Sequence, residues 1–595
     1  MSTSNPLVAD DDIAFLLHDV LHVEALCAWP AFAEHAPEDF DLLLGAARRL
    51  AREVLWPAYR SMDQEPPRYE GGRVRVHPAM PSIYAHLVEH GAISASRPRG
   101  VGGLGLPLTI ASLANLYLMA ANLGAYAYAG LTTGAAHLLE AFGDAEVRDL
   151  FMTPMYEGRW TGTMALTEPQ AGSSLADVQT RARLGGDGRY RIEGSKIFIS
   201  GGDQDFTENI VHMTLARIEG APPGIKGVSL FAVPARRPEG GALVPNDVQC
   251  TGMFHKMGWR GIPSVALTYG EAGDCCGWLV GQPHRGISCM FQMMNEARIM
   301  VGMNAIATAS VAYQEALSYA RERPQGRPVA AKDPTAPQIP IVEHADVRRM
   351  LLRQKAIVEG GLSLLATTAR FADAAEHAPT PAERQRATLL VDLLTPVAKS
   401  FPADRGFEAN VLSVQIHGGY GYTSEYLPES WLRDQKLNSI HEGTSGIQAL
   451  DLLGRKVVAG GGAAFSALVA EIRAGVTRAG AAGVRGEWIA AVERATVRVE
   501  QLTMNLAGLG LSGQVEPMLA HAADYLDLMG VLLVAWQWLV QAAALRETHR
   551  EDAFARGKLR AAQYWMATEL PRIEHLARLC EDVEDSYLSV QPDEL

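Results

Sequence analysis

The chain has 595 residues, too many for one hydrophobic core, so it should divide into several domains or lobes. With 48% apolar and 20% charged residues it has the composition of a soluble globular protein, and a net charge of −14 argues against a phosphate backbone as main partner. The six cysteines, at 27, 250, 275, 276, 289 and 580, show no C-x-x-C pair and no metal spacing, which suggests neither a disulfide framework nor a metal site and fits a reducing compartment.

The start, MSTSNPLVADDDIAFLLHDVL, is acidic, and its first basic residue is Arg48, so export or organelle import is not expected and a cytoplasmic location is. Residues 12–60 carry apolar positions at helical spacing, and the run 107–131 reads as a buried helix or helix pair, so the first lobe is helical. RGVGGLGLP (99–107) matches G-x-G-x-x-G at Gly100, Gly102 and Gly105. No strand leads into it and no acid occurs from 106 to 139, so it reads as a turn before a helix rather than a dinucleotide site.

From about 160 the texture becomes β-rich: YRIEGSKIFIS (190–200), GVSLFAVP (227–234) and SVALTYG (264–270) are short runs bounded by Gly and Pro. Helical periods return at 290–323 and 345–375, joined by a Pro-rich loop. After a linker at 458–464, Phe465, Leu468, Val469, Ile472 and Val476 mark another amphipathic helix. The segment 528–545, apolar apart from Gln537 and Gln541, reads as a core helix rather than a membrane span. The expected domains are 1–160 (helical), 161–280 (β), 281–457 (helical) and 465–595 (helical extension).

Several motifs carry chemistry. MALTEPQAGSSLADVQTRA (164–182) packs Thr167, Gly172, Ser173 and Ser174 around a turn that suits either a polar or phosphorylated ligand or a plain surface turn. KIFISGG (196–202) places Phe198 and Ser200 on one strand face, fit to cover a heteroaromatic ring or, for the Phe, to join a core. NEARIMVG (295–302) sets Asn295 and Arg298 on one helix face, where the Arg needs a partner. YARERPQGRP (319–328) supplies Arg323, Gln325 and Arg327 at a helix end, apt for pyrophosphate or for C-terminal capping. QIHGGYGY (415–422) has adjacent glycines that admit a ligand or another backbone. NSIHEGTSGIQ (438–448) puts Glu442 at the approach to a helix, where an acid commonly serves only to start the helix.

In this order TEPQAGSS, KIFISGG, HKMGWRG, NEARIMVG, ERPQGR, QIHGGYGY and IHEGTSGIQ resemble the acyl-CoA dehydrogenase flavoproteins, from about residue 40 to 456. NPLVADDDIAFLLHDVL, MFQMMNEAR and GIQALDLLGRK resemble its long branch with a C-terminal extension. The resemblance implies an α+β multidomain fold: a helical bundle, a central β-barrel-like domain and a second helical bundle, with an appended C-terminal helical domain. FAD would lie between them and across a subunit interface.

By position, Met164, Leu166 and Thr167 would hold the flavin, with Phe198 and Ser200 covering its ring. Arg323 and Gln325 would reach the pyrophosphate of a neighbouring subunit's FAD, Gln415, Gly418 and Gly419 the adenosine side, and Thr444 the cofactor beside the catalytic acid. Ser173, Asn295, Arg298 and Gly443 match substrate positions, and no metal is implied. The family's GSD reads GSS here, its Trp-Ile-Thr reads Phe-Ile-Ser, and Gly446 stands where Glu or Gln is more common.

The implied reaction is α,β-dehydrogenation of an acyl-CoA to the trans-2-enoyl-CoA. Glu442 would remove the α-proton and flavin N5 would take the β-hydride, with the thioester oxygen held by the Glu442 amide and a ribityl hydroxyl. Electrons would pass to an electron-transferring flavoprotein, and a homodimer or homotetramer is expected. An oxidase that yields hydrogen peroxide is the alternative. A nucleic-acid-binding relative of the same fold is disfavoured, because residues 460–595 hold 12 Lys+Arg against 18 Asp+Glu.

Overall fold

The computed structural model describes residues 5–331 and 333–595; side chains of residues 291–294, inside MFQMMNEAR, lie outside the description. The chain forms two compact units, Asp41–Ala297 and the chain up to Phe40 together with Arg298–Leu595. This grouping differs from the order of sequence textures: the acidic N-terminal segment packs with the C-terminal half.

In the first unit a small hairpin, β1 (Arg68–Glu70) and β2 (Arg73–Arg75), precedes the helix Leu108–Phe142, and then the β-rich texture becomes ten strands. These are β3 (Trp160–Ala165), β4 (Arg181–Leu184), β5 (Tyr190–Ser200), β6 (Asn209–Ile218), β7 (Val228–Pro234), β8 (Arg236–Glu239), β9 (Ala242–Pro245), β10 (Val248–Met253), β11 (Ser264–Tyr269) and β12 (Cys276–Val280). The large sheet has the order β10-β11-β5-β12-β7-β6-β3, with β4 against β5 and β6, and β8-β9 form a separate hairpin. The sheet path ends at β10 and β3, while β4 bridges β5 and β6, so that the sheet curls on itself as expected of a barrel-like domain but leaves β10 and β3 as free ends. The 11-residue β5 pairs with β4 and β12 near its start and β11 further along. Its buried Ile192 and Ile199 join Phe231, Val265 and Tyr269 in the core, each such burial contributing about 1.5–3 kcal/mol.

The expected Gly-turn at 99–107 is a short helical turn, Arg99–Val101, followed by Gly102 and Gly105 at positive φ and then the helix from Leu108.

The second unit is helical. Its main elements are Ala345–His377, Pro381–His417, Ser445–Asp451, Ala463–Ala481, Gly486–Leu511, Ala522–Glu547, Ala553–Tyr564 and Arg572–Asp582. Helix Pro381–His417 begins with a capping box, Thr380 with Glu383, and a Pro at its first turn, which together satisfy amides that the helix start leaves unpaired. It also contains Pro396 and Pro402. Pro396 cannot donate to the Asp392 carbonyl, which instead accepts from Lys456 Nζ and from Thr395 Oγ1.

Leu108–Phe142 and Ala522–Glu547 are long and apolar enough to cross a membrane by length and composition, but 83% and 94% of their most apolar windows are buried inside the protein. The two polar exceptions in the second have partners. Gln537 Oε1 accepts from Ser363 Oγ at 2.7 Å and Thr367 Oγ1 at 3.0 Å, and Gln541 Oε1 accepts from Lys558 Nζ at 3.0 Å. Lys558 also meets Asp12 at 2.6 Å and Glu359 at 3.0 Å, and Glu359 pairs with Lys355. This buried set of two lysines and two acids ties the N-terminal segment, helix Ala345–His377 and the extension into one body. It gives the acid at position 12 a structural task.

Candidate active site

The chain enters the Glu442 turn from helix Pro428–Lys436 and a 3₁₀ turn, Leu437–Ser439. Glu442 and Gly443 then adopt left-handed backbone, with φ of +53° and +84°, and reverse the chain into helix Ser445–Asp451. A non-glycine residue in that region costs about 1–3 kcal/mol and persists only where its surroundings impose it. Here they do, through three side chains.

Gln448, fully buried, reaches back from the helix to donate to the Glu442 carbonyl at 2.9 Å. Lys399 Nζ, fully buried on helix Pro381–His417, donates to the Gly443 carbonyl at 2.7 Å. Asp404, further along the same helix, accepts from Ser445 Oγ at 2.9 Å. Glycine is required at 443 on two counts: a Cβ there would lie 2.6 Å from Gln448 Nε2, and the backbone is left-handed.

Electrostatics at the turn are dominated by burial. Desolvation raises the Glu442 carboxyl above its ordinary value of 4.5, and the positive charges of Lys399 and Arg298 act against that rise. The same burial pushes His441 down to about 4, leaving it neutral at working pH, and lowers Lys399 to about 8. Thr444, expected beside a cofactor, is the N-cap of helix Ser445–Asp451 and accepts from Ile447 N at 3.3 Å.

Arg298 is 2% exposed and bound through Nη1 to Asp451 Oδ2 at 2.7 Å, so the partner this arginine needed is a carboxylate 153 residues away. In the structure Arg298 forms a buried ion pair, and its charge acts on Glu442. Asn295, three residues earlier, is half-buried. The Gly302 that closes NEARIMVG is required by packing: a Cβ there would lie 2.2 Å from the Ala398 carbonyl oxygen, next to Lys399.

In the unit Asp41–Ala297, Met164 lies on β3, and Leu166 and Thr167 follow it, all three half-buried. The loop they open is organised by a residue that sequence reasoning passed over. Glu168 accepts from Thr180 Oγ1 at 2.6 Å, from the amides of Gln179 and Thr180, and from Lys196 Nζ at 2.7 Å. Burial alone would raise Glu168, but Lys196 and these donors hold it below the ordinary carboxylate range, while burial lowers Lys196 to about 8. Lys196 also donates to Leu166 O at 3.0 Å, and Ile197 N donates to Thr167 O at 2.9 Å.

Phe198 stands in a β-bulge, where the β11–β5 register shifts between Val265 and Leu267, with its own φ at +59°. Strand alternation alone therefore does not place it beside Ser200. The bulge leaves Phe198 58% exposed, its ring tilted by 38° against Phe254 with centroids 4.5 Å apart, while Ile199 is buried and Ser200 half-buried. Ser173 is exposed in the loop.

On the helical unit, Arg323 and Gln325 are exposed just past the end of helix Gly286–Glu322. Their backbone is fixed by Gln325 N donating to Ile339 O at 2.9 Å and Ile341 N to Arg323 O at 2.8 Å. Gln415, Gly418 and Gly419 are exposed, and a Cβ built on either glycine meets nothing within 4 Å. Taken unit by unit, the exposed Phe198 suits a flat ring system, and the open glycines and the exposed Arg323 and Gln325 suit a pyrophosphate. The residues present therefore fit FAD. The sequence passed over Lys399, Gln448, Asp451 and Glu168; the only local signal for the first was a lysine inside an apolar helix between two prolines.

Comparison with known proteins shows the family. Residues 163–271 match the model of the acyl-CoA dehydrogenase middle domain, 284–457 that of the acyl-CoA dehydrogenase C-terminal domain, and 468–591 one described as acetyl-CoA dehydrogenase C-terminal like. The chain is 38% identical over 535 residues to a 3-methylmercaptopropionyl-CoA dehydrogenase of Ruegeria pomeroyi, covering 88% of this chain and 89% of that protein. It is 32% identical over 605 residues to a broad-specificity linear acyl-CoA dehydrogenase of Mycobacterium tuberculosis, covering 97% and 98%. In fold it is similar to an acyl-CoA dehydrogenase complexed with FAD from Bacillus anthracis, with a TM-score of 0.75 at 18% identity over 98% of this chain and 92% of that one. The chain belongs to the acyl-CoA dehydrogenase family of FAD-dependent oxidoreductases, with an additional C-terminal domain.

Proposed function

We propose that Glu442 is the base that removes the α-proton of an acyl-CoA thioester, yielding the trans-2-enoyl-CoA. The observation that carries this reading is the strained, three-point-anchored turn that presents Glu442 with its carboxyl raised toward working pH. An α-hydrogen of a thioester is weakly acidic, so a base with a raised pKa and an amide donor for the developing enolate oxygen are both needed. The Glu442 amide N–H is the donor this chain would supply. Two C–H bonds break and one C=C bond forms: the α-proton goes to Glu442, and FAD, when bound, accepts the β-hydride.

Met164, Leu166, Thr167, Phe198 and Ser200 would hold and cover the flavin ring. Arg323, Gln325, Gln415, Gly418, Gly419 and Thr444 would hold the rest of the cofactor, with Arg323 and Gln325 serving a second copy of the chain in a homodimer or homotetramer. Ser173, Asn295, Arg298 and Gly443 would line the substrate side. Arg298 would act on Glu442 through its charge. The electron acceptor is an electron-transferring flavoprotein in the cytoplasm. The similarity to the 3-methylmercaptopropionyl-CoA enzyme makes short acyl thioesters, the 3-methylthiopropanoyl ester first among them, the expected substrates.

A panel of acyl-CoAs mixed anaerobically with the purified yellow protein tests this reading. Flavin bleaching with short esters, and little hydrogen peroxide on aerobic turnover, is the expected result. Stoichiometric peroxide would instead make the protein an oxidase, and no bleaching by any ester would overturn the reading.

A further inference from the structure

Three buried cations cluster near the Glu442 turn, and two are committed elsewhere. Arg298 is paired with Asp451 at 2.7 Å, and Lys456 with Asp392 at 2.9 Å. Lys399 is different. Its ammonium is fully buried, and its hydrogen bond runs to a backbone carbonyl, Gly443 O at 2.7 Å. Among the described residues no carboxylate lies within ion-pair distance of it. A lysine buried on one neutral acceptor carries a desolvation cost that an apolar residue of similar length would avoid.

We infer that Lys399 is a positioning residue for the reaction proposed above: it holds the Gly443 carbonyl, and so the shape of the Glu442 turn, while its positive charge, in no ion pair among the described residues, acts on the Glu442 carboxylate. The placement supports both tasks. Pro396 and Pro402 bracket Lys399 on helix Pro381–His417, and the close approach of Gly302 to the Ala398 carbonyl fixes the helix at that point.

The charged and titratable groups whose fields bear on the ammonium or the base come from each packed element. They are Asp404 on the same helix, Glu442 and the neutral His441 on the turn, and Arg298 on helix Gly286–Glu322. Asp404 accepts from Ser445 Oγ, and Arg298 is matched by Asp451. Of the two cations whose charge acts on Glu442, Lys399 acts more strongly, and Arg298 is already paired with Asp451. Charge removal at 399 should make Glu442 harder to ionise, and loss of the hydrogen bond should loosen the turn; the two effects are separable.

The inference rests on Glu442 being the base, so the test carries a control for that reading. The full-length, FAD-loaded protein and the variants Lys399→Gln, Lys399→Met and Lys399→Arg are mixed anaerobically with acyl-CoA, and the rate of flavin reduction is followed across pH. Lys399→Gln retains a donor for the Gly443 carbonyl without the charge, and Lys399→Arg retains the charge. The expected result is that the acid limb of the profile moves up by about one pH unit in Lys399→Gln and Lys399→Met, as for loss of a nearby opposite charge. It should stay near the parent's midpoint in Lys399→Arg. The plateau rate should fall further in Lys399→Met than in Lys399→Gln.

A folded, yellow Lys399→Gln with the parent's midpoint overturns the inference. If Lys399→Met fails to retain FAD, the Gln and Arg variants decide alone. Glu442→Gln, measured in parallel, separates the two claims. An active Glu442→Gln defeats the base assignment itself, whereas an inactive one beside an unshifted Lys399→Gln defeats only the role of Lys399.

Discussion

The side-chain amide of Gln448 donates to the backbone carbonyl of Glu442 at 2.9 Å, and to that of Gly443 at 3.4 Å, from a helix that begins only after the turn. A residue six positions after the base in sequence thus fixes the base in space. Gln448→Leu keeps the volume and removes both bonds. A lost buried hydrogen bond costs about 1–3 kcal/mol, so flavin reduction by acyl-CoA should slow by roughly tenfold or more with FAD content unchanged. An unchanged rate would show that the turn holds its shape without this contact.

Gly443→Ala should be damaging out of proportion to one methyl group. The substitution forces a left-handed alanine and sets its Cβ 2.6 Å from Gln448 Nε2. Loss of about 1–2 kcal/mol in urea unfolding, together with severely reduced flavin reduction, is the expected outcome. A variant as stable and active as the parent would contradict the geometry.

The pH dependence follows from the signs. Burial raises the Glu442 carboxyl, so the rate should still be climbing with pH above the ordinary carboxylate range. His441, pushed down to about 4, is neutral there and does not produce this limb. For stability, a folded-state pKa above the unfolded one gives a contribution fully present below the unfolded pKa and lost as pH rises through the folded pKa. The ionised carboxylate is therefore a cost at neutral pH. Glu442→Gln should melt at or above the parent temperature at neutral pH, with the difference shrinking as the medium is acidified. A lower melting temperature at neutral pH would count against a desolvated carboxylate.

In the other unit, Lys196→Met should leave the Glu168 carboxylate buried without its cation. Breaking one partner of a buried pair typically costs about 3–5 kcal/mol, and the loop held by Leu166 and Thr167 should loosen with it. The measurements are thermal unfolding and the FAD retained after gel filtration, and both should fall. The double variant Glu168→Gln, Lys196→Met should recover part of the stability, since no charge is then stranded. Equal losses in the single and double variants would mean that the pair is not the cause.

Much of the secondary structure was legible from period alone: 190–200 is a strand over its full length, and the apolar positions Leu468, Val469, Ile472 and Val476 are buried in helix Ala463–Ala481. Ordered motifs were enough to single out Glu442. What was not legible depends on contacts between distant segments. Asp451 as the partner of Arg298, Lys399 as an anchor of Gly443, and Lys558 as the partner of Asp12 are separated in sequence by tens to hundreds of residues, and no local pattern marks them. The bulge at Phe198 was missed for another reason. Alternation assumes regular pairing, and the register shift against β11 breaks it just where the ring turns outward. The open edges at β3 and β10 likewise depend on pairing order, which strand patterns do not contain.

Whether Glu442 takes the α-proton is decided by anaerobic rapid mixing of Glu442→Gln with an acyl-CoA that bleaches the parent flavin. Glu442→Gln should be a folded, yellow, substrate-binding protein whose flavin reduction is slower by about 10² to 10⁴, the usual contribution of a general base. Reduction at a rate near the parent's, in a variant shown to hold FAD, would contradict it.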